Sequence, residues 1–192
     1  MDNVLFKNKY RIKSTRLKHW DYSSNGRYYI TICTKNREYS LGNIKNGEMK
    51  LSVVGKIVSN EWIRTKQIRQ NVVLDEWVIM PNHFHGIVII DNDYVECNVE
   101  THGHASLQTE HANKFGPQSK NLSAIIRGFK GATTKQIHLT GFHDFAWQPR
   151  FHEHIIRNEK GLNRIRTYIK NNPLQWELGK ENHNKHILLK QD

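Results

Sequence analysis

The chain divides into apolar segments of two periods, separated by polar and turn-forming stretches. Tyr28-Tyr29-Ile30-Thr31-Ile32-Cys33-Thr34 is β-branched and aromatic and predicts a strand, after the turn signal Asn25-Gly26. Leu41 to Lys50, with Gly42, Asn46 and Gly47, predicts a hairpin-like excursion. A helix is expected from about Ser52, its cap, to about Arg69, because Val54, Ile57, Val58, Trp62 and Thr65 fall on one stripe. Val72-Val73-Leu74 with Trp77-Val78-Ile79-Met80, then His83 to Ile90, predict two antiparallel strands broken at Pro81-Asn82. Leu122, Ile125, Ile126, Phe129, Thr133 and Ile137 form the apolar stripe of a second helix, from Asn121 to about His138. Trp147 to Ile156 reads as a further strand, with Phe151, Glu153 and Ile155 on one face and His152, His154 and Ile156 on the other. Asn158 caps a last helix, expected to run to about Asn172 and to end at Pro173. The order β, α, β, β, α, β, α predicts an α+β domain, an antiparallel sheet with helices packed on it, with a ferredoxin-like split βαβ connection.

Three stretches stand outside this pattern. Residues 1–27 are irregular and basic, 91–118 are polar and aperiodic, and 179–192 form a polar tail. The domain proper is therefore expected over 28–178, with 91–118 as an inserted loop.

Composition narrows the class of function. Lys plus Arg number 29 against 18 Asp plus Glu, a formal charge of +11. This surplus suits a polyanionic partner, although a solvated basic surface would give the same total. The run Arg16-Leu17-Lys18-His19-Trp20 sets cations beside an aromatic ring, an arrangement able to hold phosphate and stack an unpaired base. Five Trp, seven Tyr and seven Phe exclude a disordered basic tail. No apolar run approaches the ~20 residues of a spanning helix. No signal-peptide pattern opens the chain, and two cysteines, Cys33 and Cys97, give no disulfide framework. A basic, soluble, cytoplasmic protein is expected.

The sharpest chemical feature is Pro81-Asn82-His83-Phe84-His85-Gly86. Residues two apart on a strand share a face, so His83 and His85 point one way and Phe84 points into the core. Two adjacent imidazoles can share a divalent ion, or can simply be half-buried histidines on a sheet. On the last helix, Tyr168 and Asn172 are four apart and share a face. A helical tyrosine is ordinarily packing. If that helix lies over the histidine strand, Asn172 offers a carbonyl oxygen as a third ligand and Tyr168 a phenol beside the ion. Such a donor set suits Mg²⁺ or Mn²⁺, which lowers the cost of the phenolate and orients a phosphate for in-line attack. His152 and His154 form a second alternating pair, which could be read as a second metal pair, with a structural or DNA-contacting role favoured. His102, His104 and His111 read as solvated.

Val78-Ile79-Met80-Pro81-Asn82-His83-Phe84-His85-Gly86 resembles the His-hydrophobe-His motif of single-tyrosine transposases of the insertion-sequence 200 type, and most closely their REP-associated tyrosine transposase branch. Ser14-Thr15-Arg16-Leu17 with Trp20-Asp21-Tyr22, Tyr29 to Arg37, Trp147 to Arg157, and Tyr168 with Asn172-Pro173 resemble that branch's other motifs, in its order, over roughly residues 10–178. The resemblance implies the His-hydrophobe-His endonuclease fold and a metal-dependent transposase that nicks single-stranded DNA beside hairpins or palindromic repeats. It implies His83, His85 and Asn172 as ligands of Mg²⁺ or Mn²⁺. Asn172 stands where the insertion-sequence relatives carry a glutamine, one carbon longer. Tyr168 is implied as the nucleophile that becomes linked to the 5′ phosphate, and Arg16 and Lys18 as part of a guide-reading segment. It favours Arg127 and Lys130, with Lys135, as a phosphate track over a merely solvated helix face. It further implies a nucleoid-associated monomer or homodimer. Two rival classes are a catalytically retired hairpin-binding module and a zinc hydrolase built on the two histidines. No Cys, Asp or Glu stands at a useful spacing for the second.

Overall fold

The structure is a computed structural model that describes residues 16–17, 19–93 and 120–179. Lys18, almost all of the polar stretch 91–118 (Cys97, His102, His104 and His111 included) and the tail from 180 lie outside the described residues.

Among the described residues, six strands and three α-helices follow the predicted order: β1 (Gly26–Cys33), β2 (Gly42–Lys45), β3 (Glu48–Leu51), α1 (Val53–Ile68), β4 (Val72–Met80), β5 (His83–Ile90), α2 (Leu122–Leu139), β6 (His152–Ile156) and α3 (Glu159–Glu177). The main sheet has the order β4-β5-β1-β6, and every neighbouring pair is antiparallel. This is the ferredoxin-like α+β arrangement. β2 and β3 form a separate two-stranded ribbon, turned by Asn46 and Gly47 at φ 55° and 73°, the left-handed pair a two-residue hairpin needs.

Strand alternation divides the core in two. Tyr28, Ile30, Ile32, Phe84, Val88 and Ile155 face α1 and α2, where Val58, Trp62, Ile125 and Phe129 complete the larger cluster. Tyr29, Ile87 and Ile156 face the opposite way, onto Leu162, Ile165 and Ile169 of α3. The side chains of Ser52, Asn121 and Asn158 each cap their helix by accepting a hydrogen bond from the backbone N–H three residues on. Gly86 allows the close packing beneath the histidines: a Cβ there would stand 2.9 Å from the Phe84 ring and 3.0 Å from Trp62.

Two expectations are corrected. The last strand does not begin at Trp147. Trp147 forms an isolated bridge with Thr34, Pro149 lacks the N–H a ladder requires, and regular pairing starts at His152. The last helix does not end before Pro173, which lies inside α3, and so Asn172 is not a helix terminus. The proline removes one N–H, yet the turn beyond it is anchored from outside. Trp176 packs against Tyr39 and His83, the Glu177 carboxylate accepts from the Asn46 N–H, and Leu174 reaches Gly47. Tertiary packing thus overrides the local cost of proline.

Candidate active site

β5 sets the two histidines on the α3 face of the sheet, with Phe84 between them turned to Trp62 and Phe129. Both imidazoles are buried, and their Nε2 atoms stand 2.9 Å apart. Their other nitrogens are held from the sheet. His83 Nδ1 lies 2.7 Å from the Asn82 side-chain oxygen, which can only accept, so Nδ1 carries a proton and the His83 Nε2 lone pair points at His85. His85 Nδ1 lies 2.8 Å from the Tyr29 hydroxyl and 2.9 Å from that of Thr31. Hydroxyls rotate to donate or accept, so they suit either tautomer of His85.

α3 runs over this pair. The Tyr168 ring meets His85 at a centroid distance of 5.6 Å and Tyr29 at 6.3 Å. Two turns on, Trp176 meets His83 at 5.7 Å. Asn172 lies midway between them on the same stripe, fully buried, and neither its oxygen nor its nitrogen has a hydrogen-bond partner among the described residues. A buried amide without partners costs stability, and an amide oxygen on this stripe of α3 could serve as a donor to an ion held by the histidines. The structure therefore brings His83, His85 and Tyr168 together, with Asn172 one turn beyond Tyr168 on the helix face that packs against them.

The donor set fits a hard divalent ion. Two cis ligands at ~2.1 Å on an octahedral centre are ~3.0 Å apart, close to the observed Nε2 spacing. Two imidazoles plus an amide oxygen, with other positions left to water or phosphate oxygens, match such an ion better than a closed zinc site. Among the described residues no three His, Cys, Asp or Glu gather at one point.

Two ion pairs tie α3 to β4. Asp75 takes two hydrogen bonds from Arg166, at 2.9 and 2.5 Å, and Glu76 pairs with Lys170 at 3.0 Å. Both acids sit where the β4–β5 register shifts between Leu74 and Trp77, a bulge that turns them toward the helix. Burial works against ionisation of Asp75. The bonds from Arg166 and the Glu76 N–H, with the nearby positive charge, outweigh it and hold the carboxyl below its ordinary value.

The proposed DNA contacts lie elsewhere. Arg16, Arg127, Lys130 and Lys135 line a cavity of about 1220 Å³ beside α2, with Trp147 and Phe151 in its wall. Arg16 pairs with the buried Glu153 carboxylate at 3.3 Å and lies over the Phe151 and Tyr22 rings. Arg127 is exposed. Lys130 gives its ammonium to the carbonyls of Gln148 and Arg150, and burial lowers its pKa.

Sequence reasoning missed Trp176, Tyr29, Thr31 and Asn82. The i+4 step from Asn172 signals Trp176, and strand alternation puts Tyr29 and Thr31 on one face. Only the pairing of β1 with β5 shows that this face carries the histidines.

No family model matches the chain. A protein of Haemophilus influenzae, described as uncharacterized, is 39% identical over 166 residues, spanning 86% of this chain and 89% of that protein. Among solved structures, a REP-associated tyrosine transposase bound to a REP hairpin matches with a TM-score of 0.54 at 22% identity, covering 85% of this chain and 74% of that one. A candidate transposase from Deinococcus radiodurans matches with a TM-score of 0.42 at 15% identity, covering 82% and 97%. The first of these structural likenesses shows a shared fold.

Proposed function

The chain belongs to the same family as the Haemophilus influenzae protein, and we propose that it is a tyrosine transposase: a metal-dependent endonuclease and strand transferase acting on single-stranded DNA beside hairpins. One observation carries this reading. The Tyr168 ring packs on His85 and the Trp176 indole on His83, with the buried Asn172 between them on the same stripe of α3, which supports a phenol and an amide beside the paired imidazoles.

His83, His85 and Asn172 would hold Mg²⁺ or Mn²⁺, which supplies neutralisation of charge on a phosphate oxygen and on the phenolate. Asn82, Tyr29 and Thr31 fix the imidazole orientations. Tyr168 attacks phosphorus, the bond to the 3′ oxygen breaks, and a 5′-phosphotyrosine forms. This ester conserves the energy of the broken phosphodiester, so a second 3′-hydroxyl can reverse the step without ATP. The basic, aromatic-walled cavity beside α2 would hold the DNA hairpin, where Arg127 and Lys135 offer phosphate contacts and Trp147 and Phe151 offer faces for bases.

The test uses a hairpin-bearing single strand from DNA flanking the gene, with Mn²⁺. Wild-type protein should give an adduct that survives denaturation, and Tyr168→Phe should abolish it while hairpin binding persists. Binding without any adduct would instead identify a retired binding module. Cleavage that persists in the Phe variant would refute the tyrosine mechanism.

A further inference from the structure

β6 carries a histidine that the mechanism above does not use. Thr31 of β1 is the cross-strand partner of His85 on one side and of His152 on the other. Opposed residues on adjacent antiparallel strands project to the same face. The Thr31 hydroxyl touches His85 Nδ1, so that face is the histidine face, and His152 shares it. Tyr29 repeats the relation: it touches His85 and is opposed by His154. His152 therefore lies two strands from His85, ~10 Å away at the usual strand spacing. β6 is an edge strand, and His152 is exposed where His83 and His85 are buried. α3 leaves β6 at the far end of that strand and crosses to β4, where Arg166 meets Asp75. The His152 end of the row is thus the open side of the site.

Resting on the proposed function, we propose that His152 is a catalytic residue, the acid that protonates the departing 3′ oxygen. Tyr168 releases its proton to solvent and its oxygen bonds to phosphorus. The P–O3′ bond breaks, its electron pair stays on O3′, and O3′ takes the proton of the His152 imidazolium. In strand transfer, neutral His152 takes that proton back from the attacking 3′-hydroxyl. Histidine is the side chain suited to give and regain a proton near neutral pH.

The test compares two versions of the hairpin-bearing strand in Mn²⁺: the natural phosphodiester, and one with sulfur bridging at the 3′ position. A thiolate leaves without protonation. His152→Ala and His152→Gln should form the adduct ~100-fold more slowly than wild type on the natural strand, and at the wild-type rate on the sulfur strand. Melting temperature and hairpin binding, the latter measured in a Tyr168→Phe background, should not change. Equal slowing on both strands, or no slowing on either, overturns the assignment. Absence of an adduct from wild-type protein on both strands refutes the transposase reading itself, and the role of His152 with it.

Discussion

Trp176 packs its indole against the imidazole of His83, three residues beyond a proline that lies inside the same helix. The contact joins the weakest part of α3 to the buried histidine pair, and Tyr39 supports the other side of the indole. Trp176→Ala should lower stability by about 1–2 kcal/mol, less than a fully buried tryptophan because the ring is only half-buried. It should weaken Mn²⁺ binding and slow adduct formation together, since the turn after Pro173 loses its anchor. Trp176→Phe should recover most of both. A thermal-shift titration with Mn²⁺ reads the first effect, and a denaturing gel of the adduct reads the second.

Asn172 sets function against stability. Its amide is fully buried with no hydrogen-bond partner among the described residues, so it costs free energy until something binds it. Asn172→Leu, similar in volume and apolar, should raise stability in chelator by about 1 kcal/mol. The same variant should lose most of the rise in melting temperature that Mn²⁺ gives the wild type, because ligand stabilisation follows occupancy of the folded state. A variant destabilised in chelator, or one that keeps the full Mn²⁺ response, would remove Asn172 from the ligand set.

Local pattern carried the reading wherever burial is periodic. Alternation from His83 to Ile90 put the two imidazoles on one face and Phe84 on the other, and that holds in the structure. The stripes of α1 and α2 were legible for the same reason. The course of α3 was not. Proline has a strong local preference, but the turn past Pro173 is held by Tyr39, His83 and Asn46, residues far away in the chain. The placement of Tyr168 over His85 also depends on the bulge between Leu74 and Trp77, which turns Asp75 and Glu76 toward partners 91 and 94 residues later (166 − 75 and 170 − 76). No window of sequence contains both ends of such a contact.

Tyr29 and Thr31 both reach His85 Nδ1, so each can substitute in part for the other. Tyr29→Phe should therefore weaken Mn²⁺ binding by about tenfold, the lower end of what an outer hydrogen bond contributes to a metal site. Adding Thr31→Val should weaken it much further, because the imidazole then has neither hydroxyl to fix its orientation. The two losses should exceed their sum in free energy, a coupling that a double-mutant cycle in Mn²⁺ affinity measures directly. Additive losses would mean that the hydroxyls act on the ion site independently.

The Asp75–Arg166 pair should make the tethering of α3 sensitive to acid. The Asp75 carboxyl is held below its ordinary value, so the folded protein binds that proton less tightly than the unfolded chain does. Its contribution is complete above the ordinary carboxylate value of ~4 and disappears as pH falls through the lowered value. Arg166→Met removes the partner while keeping an aliphatic stem. It should cost about 1–2 kcal/mol at pH 7, below the cost of breaking a fully buried pair, because the guanidinium keeps part of its surface in water. Urea unfolding of the two proteins should show a constant gap from pH 7 to about 5, closing below the carboxylate value. A gap that stays the same at the lowest accessible pH would show that Arg166 stabilises α3 through packing of its stem and not through Asp75. Adduct formation at neutral pH should fall in the same variant, since the helix that carries Tyr168 is then held to β4 by the Glu76–Lys170 pair without its stronger neighbour.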